Sequence, residues 1–206
     1  MKNDKIQAIC VFSSASNNID KLYFNEAYKM GSLIAQNGYS LVFGGSNLGL
    51  MGEAVQGAKA YNADVTGVMP EKLYNLGIHP GDCNKFILTK GMRERKAKMD
   101  EISQAVIALA GGFGTLEELS EMIVQKQLGY NNKPIVLVNT NNYYSKLDEF
   151  FKQMIKENFA TIEANELYYL AKNSKEAIEY INNYSFEKID YLDKKLNLNQ
   201  KNQPLV

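Results

Sequence analysis

The residues able to do chemistry fall into three short stretches. The first is a glycine-rich turn, Gly44-Gly45-Ser46-Asn47-Leu48-Gly49-Leu50-Met51-Gly52. The second is Gly111-Gly112-Phe113-Gly114-Thr115-Leu116-Glu117-Glu118, and the third is a charged run, Met92-Arg93-Glu94-Arg95-Lys96-Ala97-Lys98. Glycines let backbone amides approach an anion closely. A helix that opens directly after such a turn adds free N–H groups and the positive end of its dipole. Thr115 offers a hydroxyl beside the second turn, and Glu118 lies one helical turn beyond it, able to face the same pocket. A carboxylate beside a phosphate site makes sense when it works on an attached sugar rather than on the phosphate. Arg95 or Lys96 would reach the bound anion.

Each of these features also has a plainer reading. Composition alone makes the charged run a solvated helix face, and makes Glu117 and Glu118 ordinary acidic residues complementing a helix dipole. Neither turn is a standard nucleotide fingerprint. GxGxxG needs glycines at its first, third and sixth places, whereas Gly44, Gly45 and Gly49 fill the first, second and sixth. In the second turn the series from Gly112 reaches Gly114 and then Glu117. A P-loop would need Lys-Ser or Lys-Thr after Gly49, where Leu50-Met51 stands. The usual routes to a dinucleotide or a triphosphate are disfavoured.

These turns need a scaffold, and the hydropathy pattern supplies one. Short apolar or β-rich runs at 6–12, 39–43, 64–69, 85–89, 105–110 and 134–139 predict strands, with a short last one at 167–170. Amphipathic stretches at 18–37, 48–61, 92–103, 115–128, 145–158 and 175–183 predict helices, with a loop from Pro70 through Asp82. Alternation of this kind means βαβ units and a mainly parallel sheet. The run Ala105-Val106-Ile107-Ala108-Leu109 is apolar throughout, as a strand covered on both faces is. The expected fold is a Rossmann-like doubly wound α/β sandwich with helices on both faces, one domain over 1–183 and a peripheral tail over 184–206. There is no internal repeat and no dividing linker.

Composition narrows the class further. The 206 residues hold 23 Lys and Arg against 23 Asp and Glu, with two Cys and one His. A balanced charge argues against a nucleic-acid partner. No apolar run approaches the ~20 residues of a membrane span, and the opening residues are polar too soon for a signal peptide, so the chain reads as cytoplasmic. Cys10 and Cys83 read as free thiols. His79, in the loop Gly77-Ile78-His79-Pro80-Gly81, reads as a surface residue of a loop that could cover a ligand. Tyr143, Tyr144, Tyr168 and Tyr169 read as packing or interface residues, and Leu119, Met122, Ile123 and Val124 as a core stripe.

Taken together, the motifs resemble the LONELY GUY family of cytokinin riboside 5′-monophosphate phosphoribohydrolases, sequences once labelled lysine decarboxylases. The family pattern PGGxGTxxE runs from Gly111 to Glu118, with Ala110 where proline is usual. Its Met-His-x-Arg-Lys element is Met92-Arg93-Glu94-Arg95-Lys96, with Arg93 in the histidine place. The turn at Gly44–Gly52 and the opening Val11-Phe12-Ser13-Ser14-Ala15-Ser16 match in the same order. The resemblance covers roughly 6–158. It implies a nucleoside 5′-monophosphate substrate, cleavage of its N-glycosidic bond without metal or organic cofactor, and a homodimer or larger homo-oligomer with sites near the interface. It makes Arg95 and Glu118 catalytic and gives Gly111, Gly112, Phe113, Gly114 and Thr115 the phosphate. Ser13, Gly45, Ser46, Met92, Lys96 and Glu117 would also line the substrate.

Other readings compete with this one. A plain AMP nucleosidase would use the same chemistry without cytokinin preference. A nucleotide-binding or carrier module of the same fold would have no need of the Arg95–Glu118 pair. A true decarboxylase would need a lysine to anchor pyridoxal phosphate, and Lys96 is the only lysine near the phosphate turns.

Overall fold

The computed structural model describes residues 5–185; from position 186 the expected tail lies outside them. Seven strands form one sheet: β1 (Ala8–Phe12), β2 (Ser40–Phe43), β3 (Val65–Pro70), β4 (Lys85–Thr89), β5 (Ala105–Ala108), β6 (Ile135–Val138) and β7 (Tyr169–Ala171). All neighbours pair in parallel, in the order β4-β3-β2-β1-β5-β6-β7. The helices are α1 (Lys21–Gln36), α2 (Gly49–Lys59), α3 (Glu71–Asn75), α4 (Met92–Glu101), α5 (Phe113–Gln127), α6 (Ser145–Lys156) and α7 (Ser174–Asn182). This is the expected doubly wound α/β fold.

Strand residues alternate between the two faces, as the pleat requires. Ile9, Val11, Leu41, Phe43 and Ile107 pack with Ala27, Met30 and Ile34 of α1, Ala54 of α2 and Ile178 of α7. Cys10, Phe12, Val42 and Val106 turn the other way, onto Met99 of α4, Leu119 and Met122 of α5, and Tyr144. Of the expected stripe on α5, Leu119 and Met122 are buried, Ile123 is partly buried and Val124 is exposed. Asp20 caps α1, its side chain accepting from the Leu22 N–H at 2.8 Å.

Strand order decides where a ligand can sit. From β1 the chain winds outward through β2 and β3 to β4, then α4 carries it back across the sheet to β5 on the other side of β1. The crevice between the carboxyl ends of β1 and β5 is the topological switch point of the sheet.

Three elements differ from the sequence reading. The loop expected after Pro70 begins with the short α3. The last strand begins at Tyr169 rather than Leu167, because a 3₁₀ turn, Ile162–Glu166, takes up the chain before it. Helix α5 begins at Phe113, two residues early, with Gly112 as its N-cap, so Glu117 and Glu118 stand in its second turn rather than its first. No helix among the described residues is long and apolar enough to cross a membrane.

Candidate active site

Four chain segments meet at the switch point. Residues 11–15 end and leave β1, Gly44 follows β2, Gly112 to Thr115 open α5, and Arg95 enters from α4. They enclose a cavity of about 300 Å³, at the lower end of the ~300–1,000 Å³ usual for small-molecule sites.

α4 is charged along most of its length, and only Arg95 and Met99, one turn apart, are buried. Arg95 donates from Nε to the Val68 carbonyl of β3 at 3.0 Å and from Nη1 to Glu118 Oε1 at 2.5 Å. Both partners are nearly buried, at 7 % and 6 % exposure. Burial pushes the Glu118 carboxyl above the ordinary carboxylate range, while the Arg95 charge and hydrogen bond pull the other way. Both side chains line the cavity. The approach is close enough that the residue after β2 must be a glycine. A Cβ on Gly44 would lie 2.2 Å from Arg95 Nη2 and 2.9 Å from the Met51 sulfur.

The second glycine turn supplies another wall of the cavity. Gly112 caps α5 with no side chain of its own, which leaves the first amides of the helix without an intrahelical or side-chain partner. Thr115 is buried and folds back so far that a Cβ on Gly111 would meet its Oγ1 at 2.1 Å. The turn is tied to β1 by the Ser14 N–H, which donates to the Ala110 carbonyl at 3.2 Å. Across from it, the buried Ser13 hydroxyl lines the cavity and has no hydrogen-bond partner among the described residues. Buried hydroxyls almost always find one.

Of the residues named from sequence, the cavity gathers Ser13, Met92, Arg95, Gly112, Gly114, Thr115 and Glu118. Gly111 stands behind them in the same turn. Gly45 and Ser46 lie outside the cavity: the Gly45 carbonyl accepts from the Gly81 N–H, and Ser46 Oγ accepts from the Leu48 N–H. That turn holds the loop carrying His79, whose carbonyl accepts from the Asn47 N–H at 3.3 Å while its side chain is exposed. Phe113 projects into solvent at 92 % exposure. Lys96 turns from the cavity to Glu117 and Glu121, joining α4 to α5 beside the Arg95–Glu118 pair. Burial works against its charge, but those two carboxylates raise its pKa.

The sequence reading missed a function for two tyrosines. Tyr143 Oη donates to the Gly111 carbonyl at 2.6 Å and Tyr144 Oη to the Leu109 carbonyl at 2.7 Å. A signal was present in the chain, two adjacent tyrosines just beyond the strand next to β5, but a phenol's partner is not legible from spacing. Cys10 is buried, and burial pushes its thiol far up, away from the reactive thiolate. Among the described residues no group of three or more His, Cys, Asp or Glu stands ready for a metal ion.

Fold and site together define a Rossmann-like α/β protein with a cavity-lining glycine turn beside a buried arginine–glutamate pair. A family described as "possible lysine decarboxylase" matches residues 51–181. The chain is 36% identical over 182 residues to a cytokinin riboside 5′-monophosphate phosphoribohydrolase of Arabidopsis thaliana, covering 87% of this chain and 84% of that one. It is also 36% identical over 181 residues to a probable enzyme of the same name from Oryza sativa subsp. japonica, covering 88% and 74%. Among solved structures, a molybdenum cofactor binding protein from Rippkaea orientalis superposes with a TM-score of 0.65 at 27% identity, over 86% of this chain and 96% of that one. The chain belongs to the LONELY GUY family of phosphoribohydrolases.

Proposed function

We propose that this protein hydrolyses the N-glycosidic bond of nucleoside 5′-monophosphates, releasing a purine base and ribose 5-phosphate. The observation that carries the reading is the buried Arg95–Glu118 pair, which shares one cavity with the α5 glycine turn. In this reading the 5′-phosphate sits on the amides of Gly112 to Thr115 and the Thr115 hydroxyl. The sugar then lies against Glu118. As the C1′–N bond lengthens, positive charge grows on the ribose, and a carboxylate facing it stabilises that charge, holds the ribose hydroxyls or activates the attacking water. Water adds to C1′ and the base leaves with a proton. Arg95 is a permanent cation, so it positions the substrate and Glu118 rather than trading protons. Ser13 Oγ offers the substrate a further polar contact. Relatives named for this activity, at 36% identity, support the reading.

A homodimer working in the cytoplasm belongs to the same reading. A decarboxylase reading is weaker, because among the described residues no lysine lines the cavity and Lys96 is engaged by two carboxylates. A non-catalytic carrier is the second reading, favoured by the likeness to the molybdenum cofactor binding protein. Chromatography of products from AMP and isopentenyl-adenosine monophosphate, side by side, separates them. Free base and ribose 5-phosphate from either substrate are expected, and the ratio of the rates on the two substrates gives the preferred base. Tight nucleotide binding with no base released from any monophosphate would overturn hydrolysis in favour of a carrier.

A further inference from the structure

The glycine turn that faces the cavity is held from behind. Three successive carbonyls leaving β5 are each taken: Leu109 by Tyr144 Oη at 2.7 Å, Ala110 by the Ser14 N–H at 3.2 Å, and Gly111 by Tyr143 Oη at 2.6 Å. The tyrosines are themselves fixed. The Tyr144 N–H donates to Asn139 Oδ1 at 2.8 Å, and its ring is buried under the sheet. The Tyr143 ring meets Tyr144 edge-on at 5.1 Å and Tyr23 at 5.8 Å. Such edge contacts hold a ring in one orientation.

The peptide between Gly111 and Gly112 is the one that most needs holding. It has a glycine on each side, so the barrier to rotating its plane is low. Rotation would turn the Gly111 carbonyl, rather than the Gly112 N–H, toward the cavity, and replace a donor by an acceptor where an anion is to bind. In a trans peptide the N–H points opposite the C=O. With Gly111 C=O on Tyr143, outside the cavity, the Gly112 N–H faces the cavity that Gly112 lines.

We propose that Tyr143, supported by Tyr144, is a positioning residue that locks the Gly111–Gly112 peptide with its N–H toward the bound phosphate. The proposal rests on the reading that this turn holds the substrate's 5′-phosphate. Tyr143 touches no reacting atom; it acts through the orientation of the amide. Its loss is felt in the affinity for phosphate-bearing ligands rather than in bond breaking.

The test is Tyr143→Phe, which keeps the ring contacts and removes only the O–H. KM and kcat for AMP and the inhibition constant of ribose 5-phosphate are measured on it and on the unmodified protein. Loss of one orienting hydrogen bond should raise KM and the inhibition constant together by about five- to tenfold, with kcat within about twofold. Tyr144→Phe, which frees the Leu109 carbonyl earlier in the same turn and keeps the ring against Tyr143, should raise the same two constants by a smaller factor. Tyr169→Phe, whose hydroxyl bonds Glu176 elsewhere, should match the unmodified protein. If ribose 5-phosphate inhibits the unmodified protein yet both constants stay within twofold in both site variants, the lock is refuted and the phosphate reading stands. A fall in kcat with KM unchanged, or an equal effect of Tyr169→Phe, also refutes it. An unmodified protein indifferent to ribose 5-phosphate overturns the phosphate reading, and the lock with it.

Discussion

Glu118→Gln isolates the charge of the central carboxylate from its shape. Glu118 is 6 % exposed and holds Arg95 at 2.5 Å. An alanine there would leave a buried guanidinium without its counter-charge, a loss of about 3–5 kcal/mol that could simply unfold the site. Glutamine keeps the volume, and its amide oxygen still accepts from Arg95 Nη1. Arg95 keeps its charge, so the bond stays charge-assisted from the donor side, but the counter-charge is lost as in alanine and the cost is about 3 kcal/mol, the low end of that range. For a chain of this size that lowers the melting temperature by roughly 6–12 °C. Activity should fall much further, because a positioned carboxylate contributes about 10²–10⁴-fold to catalysis. Adenine released from AMP, measured by chromatography on protein shown to be folded, is the assay. The pH profile adds a second readout. Burial holds the Glu118 carboxyl above its usual range, so the acid limb of kcat/KM should lie above the pH of an ordinary carboxylate and vanish in Glu118→Gln. A folded Glu118→Gln protein releasing adenine within twofold of the unmodified rate would mean that Glu118 only anchors Arg95, and the catalytic reasoning would fail.

Gly44→Ala should displace the Arg95 guanidinium, since the new methyl would sit 2.2 Å from Nη2 while Nε is pinned to Val68. A misplacement on the order of 1 Å predicts about a 10²-fold lower kcat, and an unchanged kcat in the folded variant would contradict the geometry. Gly111→Ala places a Cβ at 2.1 Å from Thr115 Oγ1 and should raise KM for AMP together with a stability loss of about 1–3 kcal/mol, read by urea unfolding. Lys126 is almost fully buried on α5, donating to Tyr184 Oη, and burial lowers its pKa from 10.5 to about 8 despite the nearby Glu166 charge. Between those values the unfolded chain keeps a proton that the folded chain has released, so the contribution of Lys126 to stability rises with pH across that window. Lys126→Met should flatten that rise and stabilise the protein at pH 7; urea midpoints at pH 7 and 9.5 that move in parallel for both proteins would rule it out.

The fold was legible because its signals are local. Period-2 and period-3.6 patterns and glycine stops placed six strands and six helices close to where they lie. The errors fell where local signals are weakest, at α3 in a Pro- and Gly-rich connection and at the short β7. The candidate site was legible in part. Thr115 and Glu118 share a helix and a face, so their meeting in one cavity follows from spacing alone. The glycines could be assigned to a turn, but spacing did not say which amides would face inward.

The sequence by itself determined the alternation of strands and helices, the apolar runs that must be covered on both faces, and the positions of the two glycine turns at strand ends. Tertiary structure decided the pairings. Arg95 and Glu118 stand 23 positions apart on different helices, and they meet because α4 carries the chain from the outer strand β4 back to β5 beside β1. The same crossing sends Lys96 outward to Glu117 and Glu121 and brings Val68 of β3 under Arg95. Tyr143 reaches Gly111 across 32 positions because β6 lies next to β5. Hydropathy periods record which face of an element is buried, but strand order is a property of the whole sheet, and strand order sets which side chains come within hydrogen-bonding distance.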